Sequence, residues 1–143
     1  VSWVPDGDDE LVTVRCRTLA GDPLDTRFSL WYAKGQSLAS ELPRKQAYLF
    51  AHRPKAASYT PKQRFSTEGG TPRVTRQAKG RWTVTLPGMP KGGAAHVTPI
   101  GDGGVRCNIS SIRRNALPQR IGVRCWNPSG QPANAKFTIA YLR

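Results

Sequence analysis

The residues of this chain that could do acid–base, nucleophilic or metal chemistry are His52 and His96, three cysteines and nine carboxylates. Six of those carboxylates fall in the first 35 residues, which leaves Glu41, Glu68 and Asp102 for the rest. A glycosidase needs two carboxylates flanking the bond it breaks, and a zinc centre needs three or four Cys, His, Asp or Glu ligands. Neither histidine has a second ligand type at metal-site spacing. No G-x-S-x-G elbow, phosphate-cradling G-x-x-x-x-G-K or H-E-x-x-H is present. This supply argues against an enzyme, and no cofactor is expected. The acidic run "PDGDDE" is the one exception to the scarcity. Asp6, Asp8, Asp9 and Glu10 are a weak calcium candidate, since calcium takes several oxygens from a turning loop. Their spacing fits no EF-hand, and a solvated loop or a partner for nearby arginines explains the run equally well.

Positive charge is far more abundant. The net charge is +13, and it is uneven: residues 1–35 carry four basic and six acidic side chains, residues 36–143 eighteen and three. Arg53, Lys55, Lys62, Arg64, Arg73, Arg76, Lys79 and Arg81 lie in one stretch against the single Glu68, with Tyr59 and Phe65 interleaved. Arg113, Arg114, Arg120 and Arg124 form a second cluster. If the outward faces of adjacent strands gather these side chains, they form a surface for a polyanion, with strongly salt-dependent binding. An acidic polysaccharide or other cell-surface polymer is the expected partner. Nucleic acid and an anionic membrane surface share the charge, but no nucleic-acid motif is present. A merely solvating positive surface is the competing reading. Trp31 and Trp126 are aromatic binding candidates, as sugar platforms or interface anchors, unless a second sheet covers them.

These groups must be held by strands. "LVTVRCR", "TRFSLWYA", "GRWTVTLPG" and "KFTIAY" alternate apolar and polar residues with period two. Val12, Val14 and Cys16 are expected on one face; Phe28, Leu30 and Tyr32, then Trp82, Val84 and Leu86, then Phe137, Ile139 and Tyr141 are expected in a core. "QAYLFAH", "KQRFST", "PRVTRQ", "AAHVTPIG" and "GVRCNIS" supply further strands, separated by turns rich in Gly, Pro, Asn and Asp. The fold class is all-β, an antiparallel β-sandwich of about ten strands. Blades of a β-propeller are the alternative if a parent chain carries several repeats. No apolar run is long enough for a membrane span.

The chain also says nearly the same thing twice. "VTVRCRTLAGDPLDTRFSLWYA", from Val12, recurs as "IGVRCWNPSGQPANAKFTIAYL", from Ile121, an offset of 109 residues without a gap. Residues 1–35 are therefore expected to be the last strands of a preceding repeat, completing this sandwich or not, and 36–143 one complete repeat. Cys107 and Cys125 lie on neighbouring strand-like runs and are expected to form a disulfide, about 5.5–6 Å between Cα atoms. Three reduced thiols are the alternative. The repeat offset places the missing partner of Cys16 just before Val1.

The strings "AYLFAHRP", "SYTP", "GRWTVTLPGM", "HVTPIG" and "VRCWNPSGQPANAKFTIAY" resemble a Cys-containing β-strand repeat of secreted actinobacterial and myxobacterial proteins. That family usually has an aspartate where Asn134 stands, and Asp25 of the first copy keeps it. The resemblance implies secretion and repetition but no chemistry, because the family has no established activity. The expectation is a secreted, extracellular, non-enzymatic binding or adhesion module for an anionic or carbohydrate surface. A protein-directed inhibitor or toxin accessory, acting on a protein partner through an exposed loop such as "LPGMPKGG" around Met89, is the alternative.

Overall fold

In "RWTVTL" each apolar residue is followed by a polar one, so an extended backbone turns Trp82, Val84 and Leu86 to one side. All three are buried, while Arg81 is exposed and Thr83 and Thr85 are half-covered. The same rule shapes "KFTIAYL", where Phe137, Ile139 and Tyr141 are buried. The computed structural model describes residues 2–6, 9–18, 20–27, 45–101, 103–113 and 117–143, with side chains from residue 11 onward. The expected strand "TRFSLWYA" and the Phe28, Leu30 and Tyr32 positions lie largely outside them.

Eleven strands are described: β1 (Ser2–Asp6), β2 (Asp9–Thr13), β3 (Gln46–Ala51), β4 (Ser58–Tyr59), β5 (Arg64–Ser66) and β6 (Arg73–Ala78). They continue with β7 (Arg81–Leu86), β8 (Ala94–Ile100), β9 (Arg106–Ile112), β10 (Gln119–Trp126) and β11 (Lys136–Leu142). Two antiparallel sheets form the sandwich, in the orders β4-β6-β7-β10-β9 and β5-β3-β11-β8. Strands β1 and β2 make a separate hairpin. No helix occurs among the described residues.

The inner faces meet in one core. From the five-stranded sheet come Val74, Trp82, Val84, Leu86, Ile121, Val123 and Cys125; from the four-stranded sheet come Leu49, Phe137, Ile139 and Tyr141. Trp82 and Phe137 join the sheets edge to face, with ring centroids 5.3 Å apart. Met89 also lies in this core with no exposed surface. Its loop is held down by Tyr141, whose hydroxyl donates to Pro90 O at 2.6 Å and accepts from the Gly93 amide at 3.0 Å. The expectation that Met89 is presented to a partner is thus corrected: an apolar side chain beside a sheet end packs inward. Gln119, an inward polar residue, is fully buried and donates to Arg113 O at 2.9 Å.

Cys107 and Cys125 sit directly opposite one another on β9 and β10 and form a disulfide. Their Cα atoms are 4.1 Å apart, nearer than the expected spacing. The reason is the ladder: Cys125 spends its N–H on Gly80 O and its carbonyl on the Ala133 N–H, both directed away from β9. The cysteines therefore occupy a non-hydrogen-bonded pair, where antiparallel strands approach most closely. Cys16 is a free, half-buried thiol.

The expected strand through Arg17 stops at Thr13, because β2 pairs only with β1, whereas β10 is flanked by β7 and β9 and runs on to Trp126. Beyond that point the two similar segments share their local geometry. Thr18 N–H bonds to Asp22 O, Gly21 N–H to Thr18 O and Leu24 N–H to Cys16 O; Asn127 to Gln131, Gly130 to Asn127 and Ala133 to Cys125 repeat these bonds. The bridge Arg17–Pro23 has its counterpart in Trp126–Pro132.

Candidate anion-binding face

The polar residues of the five-stranded sheet fall into three rows on its outer side. Register carries the central row across the whole sheet: Ser58 opposite Thr75, Thr75 opposite Thr83, Thr83 opposite Gly122, and Gly122 opposite Ser111. Four strand spacings of about 4.8 Å make this hydroxyl row about 19 Å long. Two residues along each strand to one side lie Arg73, Thr85 and Arg120, in register with one another. Arg113 extends that row, its N–H donating to Arg120 O at 2.9 Å. Two residues to the other side lie Arg81 and Arg124, with Asn108 opposite Arg124. The arginine rows are thus about 13 Å apart at their backbones, with the hydroxyls between them.

Alternation builds the middle of this arrangement: Thr75, Thr83, Thr85, Arg120, Gly122 and Arg124 each follow a buried residue, so the core fixes the face there. Arg73, Arg81, Arg113, Arg120 and Arg124 are all exposed, and none has an ion pair among the described residues. Strands β4, β6, β7, β9 and β10 contain no Asp or Glu. Like charges repel here without internal compensation, so the face favours an anionic ligand. Short side-chain bonds organise its floor: Ser58 and Thr75 hydroxyls are 3.1 Å apart, and Arg73 Nε donates to Ser58 Oγ at 2.8 Å.

Of the other basic candidates, several go elsewhere. Arg76 leaves the face because alternation puts it on the inner side with Val74, opposite buried Trp82. Its Nε donates to Asn134 Oδ1 at 3.2 Å, so this arginine ties β6 to the segment before β11. Arg53 lies over the Tyr59 ring, 5.7 Å from its centroid, in the connection after β3. Lys55, Lys62 and Lys79 are exposed on loops and turns. Arg64 belongs to β5 of the other sheet and donates to Pro61 O at 2.8 Å. Arg114 and Trp31 lie outside the described residues. Trp126 continues the outward face one step beyond Arg124, opposite Arg106, and is half-buried.

The charge run points to Arg73 and Arg81 but not to the hydroxyls. Their signal was present in the alternation of "RWTVTL", which puts Thr83 and Thr85 on the side of Arg81.

The other candidates assemble less. The β1–β2 register sets Asp6 opposite Asp9 and Pro5 opposite Glu10, while Asp8 is outside the described residues. His96 is exposed on β8; His52 is half-buried, edge-on to Tyr59 at 5.3 Å. Among the described residues no group of three or more His, Cys, Asp or Glu could hold a metal ion. The outer side of the four-stranded sheet is chemically distinct: exposed Phe65 pairs with Tyr48, whose partial burial pushes its phenol pKa upward.

Comparison with protein-family models, with curated proteins and with solved structures finds no match to this chain.

Proposed function

We propose that this chain is a secreted, non-catalytic β-sandwich module that binds an acidic polysaccharide across the outer face of its five-stranded sheet. One observation carries the reading: a row of hydroxyls, flanked on both sides by exposed arginines, on five strands without a carboxylate. Hydroxyls exchange hydrogen bonds with sugar hydroxyls, and guanidiniums hold sulfate, phosphate or carboxylate groups in fork geometry. Single-stranded nucleic acid binding draws on exposed aromatics for base stacking. The exposed aromatics Phe65 and Tyr48 belong to the other sheet, and the one aromatic on this face among the described residues, Trp126, is half-buried. This contrast favours a polysaccharide over a nucleic acid. The disulfide supports an oxidising, extracellular setting, and no helix among the described residues is long and apolar enough to cross a membrane.

The test is retention on a sulfated-polysaccharide resin and on a single-stranded-DNA resin over a salt gradient. The wild type should leave the polysaccharide resin well above physiological salt and the DNA resin earlier. Replacing Arg73, Arg81, Arg120 and Arg124 together by Gln should flatten the log affinity–log salt slope by about three to four units, near one per lost contact. Unchanged elution of that variant refutes the face. Equal retention on DNA refutes the polysaccharide.

A further inference from the structure

The hydroxyl row is deepened at one point. Gly122 of β10 pairs with Ser111, yet Val123 pairs with Ile109, so Ser110 is an extra residue on β9. Such a bulge sets two residues against one and re-aims their side chains. Here both hydroxyls converge on the place where residue 122 has no side chain. A Cβ there would lie 2.5 Å from Ser111 Oγ and 2.7 Å from Ser110 Oγ. The glycine and the bulge together open a notch in an otherwise regular sheet.

An open hollow of about 320 Å³ lies over this notch, and its lining includes Thr83, Thr85, Ser111, Arg113, Arg120 and Gly122. Its donors thus come from two directions. Threonine and serine hydroxyls approach from the floor, and two guanidiniums approach from the adjoining row. A planar carboxylate has two oxygens and is satisfied by one guanidinium fork. A half-ester of sulfuric or phosphoric acid keeps three terminal oxygens, which need donors around a tetrahedron.

We propose that the Gly122 notch is a subsite for one tetrahedral oxyanion, the sulfate or phosphate ester group of the polymer bound by this face. The proposal deepens the acidic-polysaccharide reading and rests on it for the polymer, while the notch is testable by itself. Arg113 and Arg120 grip the group, and the hydroxyls of Thr83, Thr85 and Ser111 complete its shell. Arg81 and Arg124, on the opposite row, hold the next stretch of chain.

The experiment titrates sodium sulfate, sodium phosphate and sodium acetate into the full chain at constant ionic strength, following the Gly122 and Ser111 amide resonances. Sulfate or phosphate should produce a saturable shift, and acetate only a small linear one. The response to sulfate with phosphate silent assigns a sulfate ester; the reverse assigns a phosphate ester. Replacing Arg113 and Arg120 by Gln should weaken saturation at least about tenfold. Replacing Lys55 and Lys62 by Gln, an equal loss of charge on exposed loops, should leave it unchanged. Both variants alter exposed side chains, so folding is retained. The subsite is refuted if no anion saturates these resonances, if acetate matches sulfate, or if the lysine variant weakens binding as much as the arginine variant. Saturation without retention on the polysaccharide resin refutes the polymer and keeps the subsite; retention without saturation does the opposite.

Discussion

Replacing Gly80 by Ala separates two costs that usually arrive together. Gly80 closes the turn between β6 and β7 with φ at +70°, and an added Cβ would lie 2.6 Å from Cys125 O and 2.8 Å from Ala133 N. Those atoms cannot yield cheaply. Cys125 N–H donates to Gly80 O at 2.9 Å, Ala133 N–H donates to Cys125 O at 3.0 Å, and Gly80 N–H donates to Asn134 Oδ1 at 3.1 Å. A left-handed conformation costs a side-chain-bearing residue about 1–2 kcal/mol. Displacing the neighbouring backbone forfeits one or two hydrogen bonds of about 1 kcal/mol each. The total is about 2–4 kcal/mol. Gly69 is the control, with φ at +67° and nothing within 4 Å of an added Cβ. There only the conformational cost applies, about 1–2 kcal/mol. Urea unfolding of both variants, followed by circular dichroism, measures the difference. Equal destabilisation would refute the close-approach argument and leave conformation as the sole reason for glycine at position 80.

Two further outcomes follow from the same structure. The Cys107–Cys125 bridge closes a loop of 18 residues, so replacing both cysteines by Ala should lower stability by about 3 kcal/mol through the entropy of the unfolded chain; an unmoved denaturant midpoint overturns it. Alkaline pH should find Tyr59. Burial raises its phenol pKa above 10.0, outweighing the lowering by the Arg53 N–H and the Arg53 charge. The neutral phenol is favoured in the folded state, so this stability is complete below pH 10.0 and lost as pH rises through the raised value. A Tyr59→Phe variant should therefore lose stability less steeply above that pH, and equal slopes for the two proteins would sink the assignment.

Period-two alternation made the core legible: Trp82, Val84, Leu86, Phe137, Ile139 and Tyr141 are buried as their spacing requires. It also fixed which residues of β7 face outward. What alternation cannot give is the partner of each strand. Thr83 meets Gly122, and Gly122 meets Ser111, through pairings whose register depends on every inner side chain at once. Bulges are harder still. The shift on β9 brings Ser110 and Ser111 together over Gly122, whereas Arg76 faces inward by the alternation it shares with Val74. Gln119 broke the apolar pattern of inner positions because its amide serves carbonyls at the end of the sheet.

On the proposed reading, the outer face suits a polymer better than a small ligand. Exposed charged contacts contribute about 1 kcal/mol or less each, because water screens both partners. Five arginines spread across a sheet therefore hold a single isolated anion weakly, outside the notch at Gly122. An extended polyanion engages several at once, and copies of a module tethered together multiply that gain through effective concentration. The loop hydrogen bonds at Thr18, Gly21 and Leu24 recur at Asn127, Gly130 and Ala133, so the two similar segments share one turn geometry. In the proposed binding, weak, salt-sensitive contacts would be summed along a ligand that repeats its charge.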